Sequence, residues 1–248
     1  MADATRRSIA GQKKRALSWP ALIVNGLTAL LGVALVVLAV PRTVAAWTSL
    51  DAQPAMTKLA HNEAATAAEL NECIEASTEA IKWAPSSVRF GNLGSCEFGL
   101  ARQVAAGNTE RDRWLDLAAE HTKQSLMANP ADGFAWLRLA LIAQMRGTAG
   151  REIVTYLMMS LETTPNAPLI WPVRSEMMLV YARLMTPEDG AALRRHLHTI
   201  WTFSPTYRPT LLEIAYRVKR MDVLALALAQ DPEAMAEFQM MEHQMAGP

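Results

Sequence analysis

Residues 129–165 read NPADGFAWLRLALIAQMRGTAGREIVTYLMMSLETTP, and they carry the clearest helical pattern in the chain. Its apolar residues recur at intervals of three and four, which is the periodicity of an amphipathic helix. The run GTAG at residues 147–150 divides the stretch into two helices, and prolines bound it at Pro130 and Pro165. Proline ends one helix and begins the next, because it has no N–H to donate and its φ is fixed. The stretch therefore predicts a helical hairpin bounded by prolines.

The same pattern recurs along the chain and indicates an internal repeat. A small or polar residue precedes a proline between two helical patterns at four places: Ala84-Pro85, Asn129-Pro130, Thr164-Pro165 and Ser204-Pro205. Trp136 follows Pro130 by six residues, and Trp171 follows Pro165 by the same distance. No stretch beyond residue 54 alternates apolar and polar residues for long, as a strand would. We expect an all-α domain with helices over residues 56–83, 87–105, 110–128, 132–146, 150–162, 170–185, 187–202, 207–220, 222–229 and 232–243.

Residues 129–165 resemble a tetratricopeptide repeat. The matches are the large, Leu, small and fourth packing residues of the first helix, two packing residues of the second helix and the closing proline: Trp136, Leu139, Ala140, Ala143, Tyr156, Met159 and Pro165. Trp171 repeats the position of Trp136 in the next unit. The resemblance covers residues 60–230 and implies an α-solenoid of about four helical hairpins with a concave groove that binds peptides or proteins.

Residues 20–40, PALIVNGLTALLGVALVVLAV, contain no ionisable side chain. As a helix they would span roughly 31 Å, which matches the roughly 30 Å hydrocarbon core of a bilayer. Trp19 and Trp47 lie near the ends, where indole rings favour the membrane interface. Arg42 alone follows the apolar run, whereas several basic residues precede it: Arg6, Arg7, Lys13, Lys14 and Arg15. The sequence therefore predicts a transmembrane helix over residues 20–41 with a cytoplasmic N-terminus.

These assignments give a basic cytoplasmic arm at residues 1–19, a transmembrane helix at 20–41, a linker at 42–55 and a tetratricopeptide-like domain at 56–248. In a bacterial cell the chain would be a single-pass protein of the inner membrane with this domain in the periplasm. The alternative is a signal peptide cleaved after residues 44–46, Val-Ala-Ala. The apolar run is about twice the usual length of a signal peptide's apolar segment, which favours the anchor. The helical domain is exported under either interpretation, anchor or cleaved signal peptide.

One stripe of the apolar helix carries a polar residue and several small ones. Asn25, Thr28, Ala29 and Gly32 follow the spacing of a single helix face. Asn in lipid seeks a hydrogen-bonding partner, and small residues let two helices approach closely. The stripe is thus a candidate membrane helix contact, although a single anchor also tolerates one Asn and a few small residues.

The two cysteines favour a disulfide. Cys73 and Cys96 lie at nearly equal distances before and after the turn near Pro85, so an antiparallel hairpin places them at one level. An exported domain is in an oxidising compartment. We therefore predict a Cys73–Cys96 disulfide, with two buried free thiols as the alternative.

No catalytic constellation emerges from the sequence. The glycine-rich residues 91–99 lack the Lys-Ser/Thr ending of a phosphate loop and favour a close helix crossing. His196 and His198 are two residues apart, on different sides of a helix, so a metal site is not expected. The acidic run at Glu69, Glu72, Glu75 and Glu79 fits a solvated face. The basic residues of the last third fit either a dispersed surface or a wall that receives an acidic partner: Arg194, Arg195, Arg208, Arg217, Lys219 and Arg220.

Composition and resemblance together point to a scaffold. The chain has 248 residues, is 51% hydrophobic and carries no formal net charge, which argues against a nucleic-acid partner. We expect a non-catalytic, membrane-anchored protein without cofactor or metal, whose partners are other membrane or periplasmic proteins. By analogy with similar anchored scaffolds, we expect a role in envelope or exopolysaccharide biosynthesis and export. The alternative is an accessory subunit of an inner-membrane complex, bound through its transmembrane helix.

Overall fold

The computed structural model describes residues 19–61 and 63–246, and every regular element in these ranges is helical. The all-α class is confirmed. Of the predicted basic arm, residues 1–18 lie outside the described ranges. The helices are α1 (Trp19–Thr48), α2 (Gln53–Ala60), α3 (Ala67–Trp83), α4 (Ser87–Gln103), α5 (Thr109–Ala128), α6 (Gly133–Met145), α7 (Gly150–Thr163), α8 (Trp171–Tyr181), α9 (Pro187–Phe203), α10 (Arg208–Arg217), α11 (Met221–Leu228) and α12 (Pro232–Ala246).

Helix α1 is the one described helix that is long and apolar enough to cross a membrane. It continues to Thr48, and a 3-10 helix at Ser49–Ala52 leads into α2, so the whole of the predicted linker at 42–55 is helical. Pro41 lies inside the helix, where it removes one backbone hydrogen bond. Two carbonyls in the preceding turn also accept hydrogen bonds from side chains: Arg42 Nη1 lies 2.7 Å from the Leu38 oxygen, and Thr43 Oγ1 lies 3.0 Å from the Ala39 oxygen.

The chain divides between Val44 and Ala45 into two compact units. The described part of the first unit is the apolar stretch of α1, and its large side chains are exposed. The second unit contains the remaining helices and has three apolar core clusters. Within it, each helix from α3 to α7 packs against the next one along the chain. Beyond α8, the pairs α8–α10 and α9–α11 also make contact.

The predicted helix over residues 56–83 is wrong, since two helices occupy this range. Helix α2 ends at Ala60 and α3 begins at Ala67. Thr66 and Glu69 form a capping box in which each side chain accepts a hydrogen bond from the other's backbone N–H. Glu69 also pairs with Lys58 at 2.6 Å, which fixes the new helix against α2. Thr66 and Glu69 have the spacing of a helix start, so the sequence did contain this signal.

The four predicted repeat ends share one backbone geometry. In each, the residue before the proline has an extended φ between −153° and −136° and donates its N–H to the carbonyl four residues earlier. The donor and acceptor pairs are Ala84 and Ala80, Asn129 and Ser125, Thr164 and Ser160, and Ser204 and Ile200. The N–H to O hydrogen bonds measure 2.9–3.2 Å. The recurring sequence pattern therefore corresponds to a recurring way of ending a helix.

Two neighbouring hairpins are also closed by the same side-chain bond. Ser125, near the end of α5, donates its hydroxyl to the Ser87 carbonyl at the start of α4 (2.8 Å). Ser160, near the end of α7, donates in the same way to the Gly133 carbonyl at the start of α6 (2.7 Å). Both pairs join the first residue of one helix to the end of the next, so both hairpins are antiparallel.

The glycine-rich run in α4 lies where this helix crosses α5 most closely. A Cβ added at Gly94 would lie 2.8 Å from Thr122 Oγ1 and 3.1 Å from the Ala118 carbonyl oxygen. Real Cβ atoms are essentially never found as close as 2.8 Å to another heavy atom. Only glycine therefore fits this crossing without a shift of the neighbouring helix, as expected from the sequence.

Candidate functional site

An open apolar groove in the second unit is the strongest candidate site. Its volume of about 510 Å³ lies within the range of about 300–1,000 Å³ typical of ligand pockets. Segments from α2, α4, α6, α8 and the turn before α8 contribute to it. The residues that line it are Met56, Leu59, Ala60, His61, Ser95, Phe134, Leu137, Arg138, Leu141, Pro168, Leu169, Ile170, Pro172 and Val173.

Helix α6 supplies the floor of the groove through one helical stripe. Phe134, Leu137, Arg138 and Leu141 recur at intervals of three and four, so they share one face. The rim is exposed: Phe134 is 40% accessible and Leu169 is 57% accessible. Large apolar side chains at an open groove favour an interaction site over a closed core.

Arg138 lies among these apolar side chains with little polar compensation. Its one hydrogen bond, from Nη1 to Thr122 Oγ1, is long at 3.5 Å. No ion pair joins it to a carboxylate in the described part of the chain. Burial lowers the pKa of its guanidinium to about 10, and Asp132 only partly offsets this shift. Arg138 therefore remains a cation at neutral pH.

The predicted disulfide is present and lies directly behind one groove wall. Cys73 in α3 and Cys96 in α4 are bonded, and both are fully buried. Cys96 Sγ also lies 3.8 Å from Sδ of Met56, which lines the groove on α2. Ser95, the residue next to the disulfide, lines the groove from α4. The disulfide thus joins α4, which contributes to this wall, to α3 behind it, and Cys96 also contacts α2 through Met56.

A buried acid–imidazole pair lies between α4 and α5. His121 Nδ1 is 2.7 Å from Oε2 of Glu97, whose side chain is only 3% exposed. Burial raises the pKa of Glu97, although the hydrogen bond from His121 opposes this shift. The hydrogen bond to Glu97 raises the pKa of His121. Neither residue lines the groove, so the pair ties two helices together.

The two repeat tryptophans make the same hydrogen bond. Trp136 donates its indole N–H to the Pro130 carbonyl at 2.8 Å, and Trp171 donates to the Pro165 carbonyl at 3.3 Å. Tyr156 stacks on Trp136 with ring centroids 6.0 Å apart. Of the other predicted packing residues of this repeat, Leu139, Ala140 and Ala143 are buried and Met159 is partly buried. The six-residue spacing in the sequence thus corresponds to an indole that donates a hydrogen bond to the carbonyl of Pro130 or Pro165.

The predicted membrane stripe is exposed on α1. Asn25, Thr28, Ala29 and Gly32 are all accessible, and nothing lies within 4 Å of a Cβ built at Gly32. Thr28 donates its hydroxyl to the Val24 carbonyl at 2.9 Å, so this proton is already satisfied within the helix. Of the four side chains in the stripe, Asn25 therefore has the most hydrogen-bond donors and acceptors available to a neighbouring helix.

His196 and His198 do not converge. His196 is 6% exposed, and burial together with the charge of Arg174 lowers its pKa to about 3. His198 instead lies 3.1 Å from Asp231. In the described ranges, no group of three or more His, Cys, Asp or Glu residues is placed to hold a metal ion.

Half of the basic residues predicted as a possible wall are ion-paired. Arg208 pairs with Glu237, Arg217 with Glu176 and Arg220 with Asp222. Arg194 and Arg195 instead line an open surface depression together with His198. The predicted acidic face on α3 is also only partly free, since Glu69 pairs with Lys58 and Glu79 with Lys82.

Two arginines in unusual surroundings were not predicted from the sequence. Arg138 interrupts an apolar helix, which was the only signal for it in the sequence. Arg174 comes two residues after Pro172 in α8 and is fully buried. Its Nη1 and Nη2 donate to backbone carbonyls, whereas its buried Nε has no hydrogen-bond partner among the described residues.

No protein-family model matches the chain, and a search of curated proteins finds no match to it.

Proposed function

We propose that this chain is a membrane-anchored, non-catalytic scaffold whose helical domain binds another membrane or exported protein in the apolar groove. The observation that carries the proposal is the open groove itself, with exposed Phe134 and Leu169 on its rim. Apolar surface of this kind is commonly covered by a partner protein. Helix α2 contributes one wall and begins at Gln53, soon after α1 ends at Thr48. This one wall therefore follows the apolar helix closely in the chain.

The solenoid of tetratricopeptide-like hairpins is part of this proposal. It is supported by the shared geometry of the four helix ends and by the serine bonds that close two hairpins. It is also supported by the alternation of helices in the groove, where α4, α6 and α8 contribute residues and α5 and α7 do not. Alternate helices line one face in a stack of helical hairpins.

The proposed topology places the N-terminus in the cytoplasm and the helical domain outside the inner membrane. The excess of basic residues before the apolar run supports this orientation. The disulfide supports an oxidising compartment for the domain. The proposed process remains envelope or exopolysaccharide assembly, by analogy with similar anchored scaffolds.

A second candidate is an accessory subunit that binds its complex through α1. The observation that favours it is Asn25, a polar side chain exposed on an otherwise apolar helix. The two candidates predict different contact surfaces, so they can be separated by exchanging the anchor.

We expect an unrelated transmembrane helix in place of residues 20–41 to leave partner capture unchanged when intact cells are crosslinked. Leu169→Asp should reduce capture at least about tenfold, because it places a charge on the apolar rim of the binding surface. Phe203→Asp is the matched control, since Phe203 is also exposed, at 78%, but does not line the groove. Loss of capture after anchor exchange, with no effect of Leu169→Asp, would support the accessory subunit and refute the scaffold.

A further inference from the structure

Among the described residues that line the groove, Arg138 is the only Arg, Lys, Asp or Glu. A guanidinium has five N–H donors, and the only hydrogen bond that Arg138 makes within the described ranges is the long one to Thr122. The remaining donors have no carboxylate partner among the described residues. The groove therefore has a cation without a counter-charge in an apolar setting.

The charge of Asp132 raises the pKa of Arg138, but the Asp132 side chain is hydrogen-bonded elsewhere. Its Oδ1 accepts hydrogen bonds from the backbone N–H groups of Phe134 and Ala135, at 3.0 and 3.1 Å. This is the N-cap interaction that begins α6. Asp132 is thus engaged in the helix cap and does not pair with the guanidinium.

Arg138 is half-buried, and solvent reaches the guanidinium nitrogens that have no hydrogen-bond partner. An incoming carboxylate could replace that solvent with charge-assisted hydrogen bonds, which are stronger than neutral ones. Apolar groups next to that carboxylate would cover Leu141, which is partly exposed one turn from Arg138 on α6. Exposed Phe134 and Leu169 would be covered at the rim.

We infer that Arg138 makes the groove selective for an apolar protein segment that carries a carboxylate, either an Asp or Glu side chain or a free C-terminus. The inference rests on the proposed function, because it names the chemistry of the partner that the groove would bind. Charge complementarity is the argument for it: one unpaired cation, no groove carboxylate, and apolar surface on the same helix face.

The experiment begins with the full chain in intact cells, with p-benzoylphenylalanine in place of Phe134, one helical turn from Arg138. The peptide crosslinked at this position is identified by mass spectrometry. It is then synthesised with its carboxylate intact and with that group neutralised, as Gln, Asn or a C-terminal amide. Affinities are measured against the purified full-length chain in detergent micelles.

We expect the neutral peptide to bind the native chain about 10- to 100-fold more weakly, as loss of a hydrogen bond to a charged group predicts. Arg138→Gln should bind both peptides with the same weak affinity, and Arg138→Lys should restore part of the difference. Arg195→Gln is the matched control, since Arg195 is exposed and lies outside the groove. Thermal unfolding checks that each variant is folded.

Several outcomes would overturn the inference; the first leaves the proposed function intact, whereas the other two refute it as well. If the acidic and neutral peptides bind equally well, or if the captured segment has no carboxylate, the groove binds a partner but Arg138 does not select it. If the crosslink joins a fatty acid or another lipid, the occupant is not a protein segment. If a folded chain gives no adduct at residue 134, the groove is not the docking surface, and the proposed function fails with it.

Discussion

Replacement of Arg174 by Ala is expected to lower the free energy of unfolding by about 4 kcal/mol. Arg174 is fully buried and holds the carbonyl end of α7. Its Nη1 donates to the carbonyl oxygens of Ser160 (3.1 Å) and Thr164 (2.7 Å), and its Nη2 donates to that of Pro165 (2.8 Å). Each hydrogen bond to a charged group contributes about 1.5–3 kcal/mol, and such contributions are not additive. The substitution would also leave a cavity.

The partial negative charge at the C-terminal end of a helix favours a cation there. This explains how Arg174 can be buried without an ion pair to a carboxylate among the described residues. Burial lowers its pKa only to about 10, so it stays charged at neutral pH. The same charge, together with burial, keeps nearby His196 neutral.

Urea unfolding of the full chain in detergent micelles would measure the effect. Arg183→Ala is the matched control, because Arg183 is an exposed arginine in the turn after α8. Its expected effect is within about 0.5 kcal/mol. Arg174→Met keeps most of the volume but not the donors, so it should lie between the two. Equal stability of the Arg174→Ala and Arg183→Ala chains would show that the carbonyl contacts do not stabilise the fold.

The double substitution Cys73→Ala and Cys96→Ala is expected to lower the free energy of unfolding by about 3 kcal/mol. The two cysteines are 23 positions apart, and a disulfide that closes a loop of this length restricts the unfolded chain by about that amount. Alanine is the suitable replacement, since both positions lie in an apolar cluster with Leu70 and Leu100. A serine would add a buried hydroxyl to the measured cost.

The wild-type chain with a reductant should unfold at the same urea concentration as the double variant without it. The reductant should have no further effect on the variant, which has no remaining cysteine. We also expect the variant to bind its partner less tightly, because the disulfide lies behind Met56 and Ser95 in the groove wall. Identical unfolding of the oxidised and reduced wild-type chains would refute the stabilising role.

Local signals predicted much of the fold. The Pro-based repeat ends depend on the missing N–H of proline, which the sequence reveals directly, and all four share one geometry. Cys73 and Cys96 lie at nearly equal distances from the turn at Pro85, and this spacing was sufficient to predict that they pair. By contrast, the apolar periodicity over residues 56–83 hid the end of α2 at Ala60 and the start of α3 at Ala67, since the capping box of Thr66 and Glu69 was overlooked.

The groove could not be predicted from the sequence as a set of residues. Its walls come from segments far apart in the chain, such as α2 and α8, and only their packing brings Met56 and Val173 to one surface. Arg138 and Arg174 have the same side chain as surface arginines. Their roles follow from their surroundings: apolar side chains surround Arg138, and carbonyls at the end of a helix surround Arg174.

A pair of C-terminal reporter fusions in intact bacterial cells would show whether α1 anchors an exported helical domain. We expect alkaline phosphatase fused after residue 248 to be active and to fractionate with the membrane, because that enzyme needs an oxidising compartment to form its disulfides. A fluorescent protein that folds only in the cytosol should stay dark at the same position. Bright cytosolic fluorescence with an inactive phosphatase would contradict the proposal that α1 anchors an exported helical domain.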